Sequence, residues 1–290
     1  MCRPASMVLT KDAVLWSRRS ESHEDIIREY ELHADGVGGP NLLRVELTPA
    51  GNDYRLPLDE WAFRCDQDIM PPWFDAEPDV ARARNALPDW LAAKVVLPGE
   101  VREHVDNAHI VAAYGTIQSM YGSSVVEYMY GSSVVQSMHG SSVVKYMTGS
   151  SVVKYMTGSS VVKSMIGSSV VKSMIGSSVV ERMYDSSVVK YMTDSSVVQS
   201  MYGSSVVESM YGSSVVQRMY GSSVVESMYG SSVVEYMTGS SVVKSMYGSS
   251  VVTRIYPPVS PDILKSSEAV LIDRSGDKVV YYVGKDEGGE

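Results

Sequence analysis

The chain reads as a mainly β protein: a β-solenoid of nine-residue repeats, with a small N-terminal α+β domain and a C-terminal β-hairpin cap. Three observations predict this. From Tyr121 to Ile255 the sequence is fifteen consecutive nonapeptides without insertion, of the form [YTIH]-[GD]-S-S-V-V-[EKQT]-[SYR]-M. Paired β-branched Val and a Gly in nearly every unit favour extended chain and tight bends over helix. A period of nine is also two and a half helical turns, so helical copies would aim their apolar faces alternately to opposite sides. Stacked extended units remove that conflict and let identical side chains form ladders.

The segments are then residues 1–95 as the small domain, 96–120 as a degenerate entry coil, 121–255 as the array and 256–290 as cap and tail. In the first, Met7–Thr10 and Ala13–Trp16 read as strands around Lys11 and Asp12. Ser22 to Asp25 forms a capping box for a helix over Ile26–Leu32. Gly36–Asn41 is a loop and Leu42–Thr48 a strand. Leu58–Cys65 is a further strand, and Asp75–Lys94 is helical with a break near Pro88. The stretch Tyr114–Met120 is the repeat with two residues missing, as expected of an end unit that covers the stack. Pro257 and Pro258 stop the array. Ala269–Ile272 and Lys278–Val283 form a hairpin around Asp273–Asp277.

One nonapeptide is too short to close a coil around a core. Two per coil would give a rod of roughly 36 Å and three a rod of roughly 24 Å at the usual strand spacing. Two is the expected arrangement. Within each unit the seventh and eighth positions carry Glu, Lys, Gln, Arg, Tyr or Ser and belong at the surface. A bend there returns Met to the interior. The inward set is the second Ser, the second Val and the Met, with Val126, Met129, Val135 and Met138 as examples. The first Val then makes an outward apolar ladder, and the inward hydroxyls take backbone partners at the corners.

Composition bounds function. The 290 residues carry a net charge of −9, against a general nucleic-acid binder. Residues 1–120 hold −8, the array +2 and the tail −3, so the rod lacks the acidic surface of a DNA mimic. Six lysines are interspersed with five glutamates at the seventh position, which suits a solubilising ladder better than a phosphate-binding stripe. Two cysteines, Cys2 and Cys65, make no disulfide framework. With no apolar run of membrane length and no signal peptide, the expectation is a cytoplasmic protein without a membrane partner, virion association being left open.

Candidate chemistry is sparse. Glu103, His104, Asp106 and His109 form a polar cluster that matches no zinc spacing. Cys65 beside Asp66 and Asp68 suggests a thiol, but a strand Cys is ordinarily structural. His23 reads as solvated, and Gly36–Gly39 as a turn and no phosphate loop. No catalytic residue, metal or cofactor is expected, and the chain is read as no enzyme. The candidate binding surface is the set of array tyrosines and arginines Tyr121, Tyr128, Tyr130, Tyr146, Tyr155, Arg182, Tyr202, Tyr211, Arg218, Tyr220, Tyr229 and Tyr236.

The nine-residue period is similar to that of the calcium-binding nonapeptide β-rolls, which also use two units per coil. Their pattern G-G-x-G-x-D-x-U-x supplies carboxylates to calcium, whereas here only Asp185 and Asp194 hold the turn position, so calcium does not carry over. The helix start at residues 22–27 together with the array resembles uncharacterised Gly-Ser-Ser-Val repeat proteins of bacteria and their phages, a resemblance that implies no activity. The expected function is a non-enzymatic scaffold presenting a repetitive surface to a protein or carbohydrate partner. The alternatives are an N-terminal enzyme or effector with the array as spacer, an ice-binding rod and a DNA mimic. An outward Val ladder also admits side-by-side homodimers.

Overall fold

The protein is represented by a computed structural model that describes residues 4–33, 35–36, 39–253, 255–256, 268–273 and 280–284. The chain forms two compact units: Met1–Leu97 with Ala108–Ala112, and Pro98–Asn107 with Ala113–Glu290. Cys2, Pro257, Pro258 and the hairpin turn that follows Asp273 lie outside the described residues.

The first unit is α+β. Its antiparallel sheet runs in the order Val14–Leu15, Ala5–Leu9, Leu43–Thr48, Ala62–Cys65. Alternating burial along Leu43–Thr48 places Leu43, Val45 and Leu47 in the core. Ser22 caps the helix His23–Glu29, its Oγ accepting from the Asp25 amide. Tyr54, Trp61 and Trp90 pack ring on ring, with centroids 5.7–6.2 Å apart.

Three details depart from the sequence reading. Leu58–Glu60 is a 3₁₀ turn after Pro57, and only Ala62–Cys65 is strand, because buried Trp61 anchors the chain between them. Ala76–Lys94 runs as one helix through Pro88. The proline deletes one helical bond, but Ala83, Leu87, Trp90 and Lys94 are buried on one face and hold both halves. His23 is buried rather than solvated, since the first turn of its helix leans on the sheet. Gly36 and Gly39 belong to a short antiparallel pair, and residues 37–38 between them lie outside the described residues.

The second unit is a two-sheet β-solenoid. Strands of alternate repeats enter alternate sheets, so paired residues lie eighteen positions apart in parallel register: Val126 with Val144, Met129 with Met147, Val135 with Val153. Two repeats therefore make one coil. One sheet has nine strands, from Val101–Asp106 through Thr116–Tyr121 and Val134–Met138 to Val242–Met246. The opposing sheet holds Val125–Met129, Val143–Met147 and their successors to Val251–Val252. It is continued by Val270–Asp273, which forms a hairpin with Val280–Val283.

Every strand of the array solves the same problem locally. Coil-to-coil pairing joins the fifth, sixth, eighth and ninth positions and skips the seventh. That break lets two consecutive residues face water before the chain turns Met back inside. The second Val and the Met are essentially unexposed in coil after coil, and the first Val is only partly covered. Full burial of each such side chain contributes about 1.5–3 kcal/mol. The corner that follows requires a left-handed residue. Asp185 and Asp194 adopt φ of 55° and 56° there, as the glycines do. Their carboxylates accept from the amides of Gly167 and Gly176 in the preceding coil, at 3.0 Å. They act as corner braces.

The entry segment follows the same register with two residues removed. Tyr130 donates its amide to the Ala113 carbonyl, seventeen residues back where complete coils step nineteen, and Val134 regains the regular nineteen at the Gly115 carbonyl. Tyr114 consequently stacks on Tyr130 at 5.2 Å.

One expectation fails inside the coil. Ser124 Oγ donates to the Val105 and Tyr121 carbonyls, and Ser241 Oγ to that of Thr238. Thirteen other fourth-position serines, from Ser133 to Ser250, have buried hydroxyls with no hydrogen-bond partner among the described residues. Their side chains are small enough for the narrow corner, and they stack there in two columns without reaching backbone oxygens.

Candidate interaction surface

Sorting by alternate repeats distributes the surface residues in a way their order along the chain conceals. Eighth-position side chains at the end of one strand lie beside first-position side chains that open the next repeat. Where the chain leaves the second sheet for the nine-stranded one, this edge collects Tyr128, Tyr146, Arg182, Arg218 and Tyr236 with Tyr130, Tyr184, Tyr202 and Tyr220. The opposite edge collects Tyr155 and Tyr191 with Tyr121, Tyr211, Tyr229 and Tyr247. The twelve candidates thus form two surfaces. Both arginines among them sit on the first edge.

That edge has two aromatic runs. Tyr128 stacks on Tyr146 at 4.6 Å and lies 5.6 Å from Tyr130. Further along, Tyr184, Tyr202 and Tyr220 stack at 5.1 Å with planes within 10°. Arg182 reaches the Tyr184 hydroxyl and the Glu181 carboxylate, and the hydroxyl contact is the main reason its pKa moves up. The second run ends in an open cleft lined by Gln217, Arg218, Tyr220, Val233, Glu235, Tyr236 and Thr253. There Tyr236 tilts 55° to Tyr220, because Thr238 stands where a stacking tyrosine would continue the column. The cleft therefore joins two tyrosine faces, a guanidinium and a carboxylate.

On the opposite edge, Tyr211, Tyr229 and Tyr247 stack at 4.9 Å. Tyr121 stacks on His139, whose Nδ1 lies 3.0 Å from Thr157 Oγ1. Tyr155 and Tyr191 are the most exposed aromatics of the array, at 52% and 48%. Tyr184, Tyr191, Tyr247 and Glu235 were not singled out from the sequence. Stepping by eighteen instead of nine would have found them.

His23 Nε2 lies 3.1 Å from the Val45 carbonyl and Nδ1 3.3 Å from the Asp66 carboxylate, so neither nitrogen is left for Cys65. Arg64 and, after it, His23 hold the Asp66 carboxyl below its ordinary pKa, while burial pushes the Cys65 thiol up, away from the reactive thiolate. Glu103, His104 and Asp106 are exposed on the solenoid, and His109 is buried in the other unit. Among the described residues no three His, Cys, Asp or Glu side chains gather to hold a metal.

In the first unit, Lys94 is wholly buried, its Nζ 2.8 Å from Glu21 Oε1. Glu21 Oε2 accepts from the Trp90 indole and the Ser6 amide. Burial raises the Glu21 pKa and outweighs the opposing pull of Lys94. This network ties both ends of the helix-and-sheet core together.

No helix of the described residues is long and apolar enough to cross a membrane. No family model, curated protein or solved structure matches the chain.

Proposed function

We propose that the protein is a non-enzymatic scaffold whose solenoid presents a repetitive surface to a protein or carbohydrate partner. The Arg–Tyr edge is the recognition face in this reading. The observation that carries it is the gathering of Arg218, Tyr220 and Tyr236 around a cleft on one edge, with Arg182 two coils along the same edge. Tyrosine faces offer stacking area at low entropic cost, and a guanidinium beside a carboxylate supplies directional hydrogen bonds to hydroxyls or peptide groups.

The test uses the full chain and a variant with Arg182, Arg218 and Tyr236 all replaced by serine. Serine is the commonest eighth-position residue of the array, so the change keeps the repeat's own pattern. Glycan arrays and affinity capture should find a ligand that the full chain retains and the triple variant loses. A ligand held equally by both would overturn the assignment of the edge.

A further inference from the structure

The nine-stranded face of the solenoid carries a second pattern, separate from the Arg–Tyr edge and independent of the function proposed for it. Its seventh positions, in coil order, are Gln136, Lys154, Lys172, Lys190, Glu208, Glu226 and Lys244. Three lysines are followed by two glutamates, spaced by about 4.8 Å per coil. In the linear sequence these residues alternate with those of the other sheet, and the block is invisible. Beside the column runs the ladder of outward Val, partly exposed throughout and 42% exposed at Val242.

We infer that this face pairs with the same face of a second copy, the two solenoids running antiparallel about a two-fold axis between the strands Val188–Met192 and Val206–Met210. Such an axis, lying along the strand direction, keeps each position of the repeat opposite its own kind and reverses the coil order. The Val ladder then covers the partner's Val ladder. Lys190 and Glu208, 3.4 Å apart within each chain, face the partner's Glu208 and the partner's Lys190 and close a four-charge square, while Lys172 faces Glu226 of the partner subunit, a pair that occurs twice. The exposed Tyr191 falls opposite a serine, as does Tyr155, and Ser173 meets Ser227 of the partner subunit, so no two tyrosines collide. A like-charged contact arises only at the ends, between Lys154 and Lys244, and Lys244 is already held by Glu226 of its own chain at 2.7 Å. A parallel pair would instead set lysines level with lysines. The six overlapping coils offer roughly 1,000 Å² in total, at the lower bound of specific interfaces, so the dimer is reversible and salt-sensitive.

Sedimentation velocity of the full chain, over a concentration series at low and high salt, tests the proposal. The expected result is a monomer–dimer equilibrium that shifts to monomer as salt rises. Lys172→Glu and Glu226→Lys should each weaken the dimer tenfold or more, because each sets like charges opposite one another twice. Mixing the two single variants should restore it as a heterodimer, since each variant then meets the complementary charge. Circular dichroism of each variant checks that the sheet is intact. A chain monomeric at all concentrations would overturn the proposal. So would a dimer indifferent to both substitutions, or single variants that fail to complement when mixed.

Discussion

Replacing Ser160, Ser169, Ser178 and Ser187 with alanine should stabilise the solenoid, against the ordinary expectation that core substitutions destabilise. All four are unexposed, and none of their hydroxyls has a hydrogen-bond partner among the described residues. A hydroxyl buried without a partner costs about 1–3 kcal/mol, and alanine removes it at almost no loss of packing volume. The working value is about 1 kcal/mol gained per site, or about 4 kcal/mol for the set if neighbouring coils add. Guanidinium denaturation reports the effect, followed by far-ultraviolet circular dichroism and tyrosine fluorescence. Its midpoint is the safer quantity, since repeat arrays need not unfold in one step. Ser241→Ala is the control, because that hydroxyl donates to the Thr238 carbonyl at 2.9 Å. It should lower stability by about 1 kcal/mol. If Ser160→Ala lowers the midpoint as much as Ser241→Ala, the interior hydroxyls do have partners and the reasoning fails.

Further outcomes follow from the same geometry. Asp194→Ala should cost about 1–2 kcal/mol, because alanine strains at positive φ and the bond to the Gly176 amide is lost, whereas Asp194→Gly should stay close to neutral in the same denaturation assay. Lys94→Ala should destabilise the first unit by about 3–5 kcal/mol, measured by tryptophan fluorescence, since it strands the buried Glu21. The raised Glu21 pKa has a definite pH consequence: its folded form binds the proton more tightly, so this group's contribution is full below the unfolded value and is lost as pH rises through the folded one. Glu21→Gln should remove that pH-dependent loss from the first unit's melting curve. Deleting residues 157–174, one whole coil, should leave the circular dichroism shape intact. Deleting 157–165 alone should move Arg182, Arg218 and Tyr236, together with Tyr184, Tyr202 and Tyr220, to the edge opposite Tyr128 and Tyr146, so that binding within the cleft survives and binding that needs both tyrosine runs is lost.

Much of the fold was legible because the array is its own alignment. Fifteen copies reveal which positions vary, and variation at the seventh and eighth positions marks water as plainly as constancy of Val126 and Met129 marks the core. The bend at those positions followed from the need to put two polar neighbours outside together. Other features depended on distant partners. His23 is buried by Val45 and Asp66, more than twenty residues away. Pro88 stays in a helix because tertiary burial outweighs the lost bond. The candidate surface was harder still. Its residues were recognisable by type, but their grouping depends on whether a repeat is odd or even. Only the two-repeat coil decides that Arg218 and Tyr236 share an edge from which Tyr155 is excluded.

The methionine columns give the solenoid a chemical memory. One thioether per repeat lies sealed in the interior, at 1% exposure or less from Met129 to Met246. While the coils stay closed, peroxide has no path to these sulfurs. A coil that opens briefly exposes its pair, and oxygen added then turns a pliant apolar group into a polar one that the closed corner no longer accepts. Re-closure is disfavoured at that coil and its neighbours become the next to open. Sulfoxide mapped by mass spectrometry along the array would therefore record where, and in what order, the structure breathes.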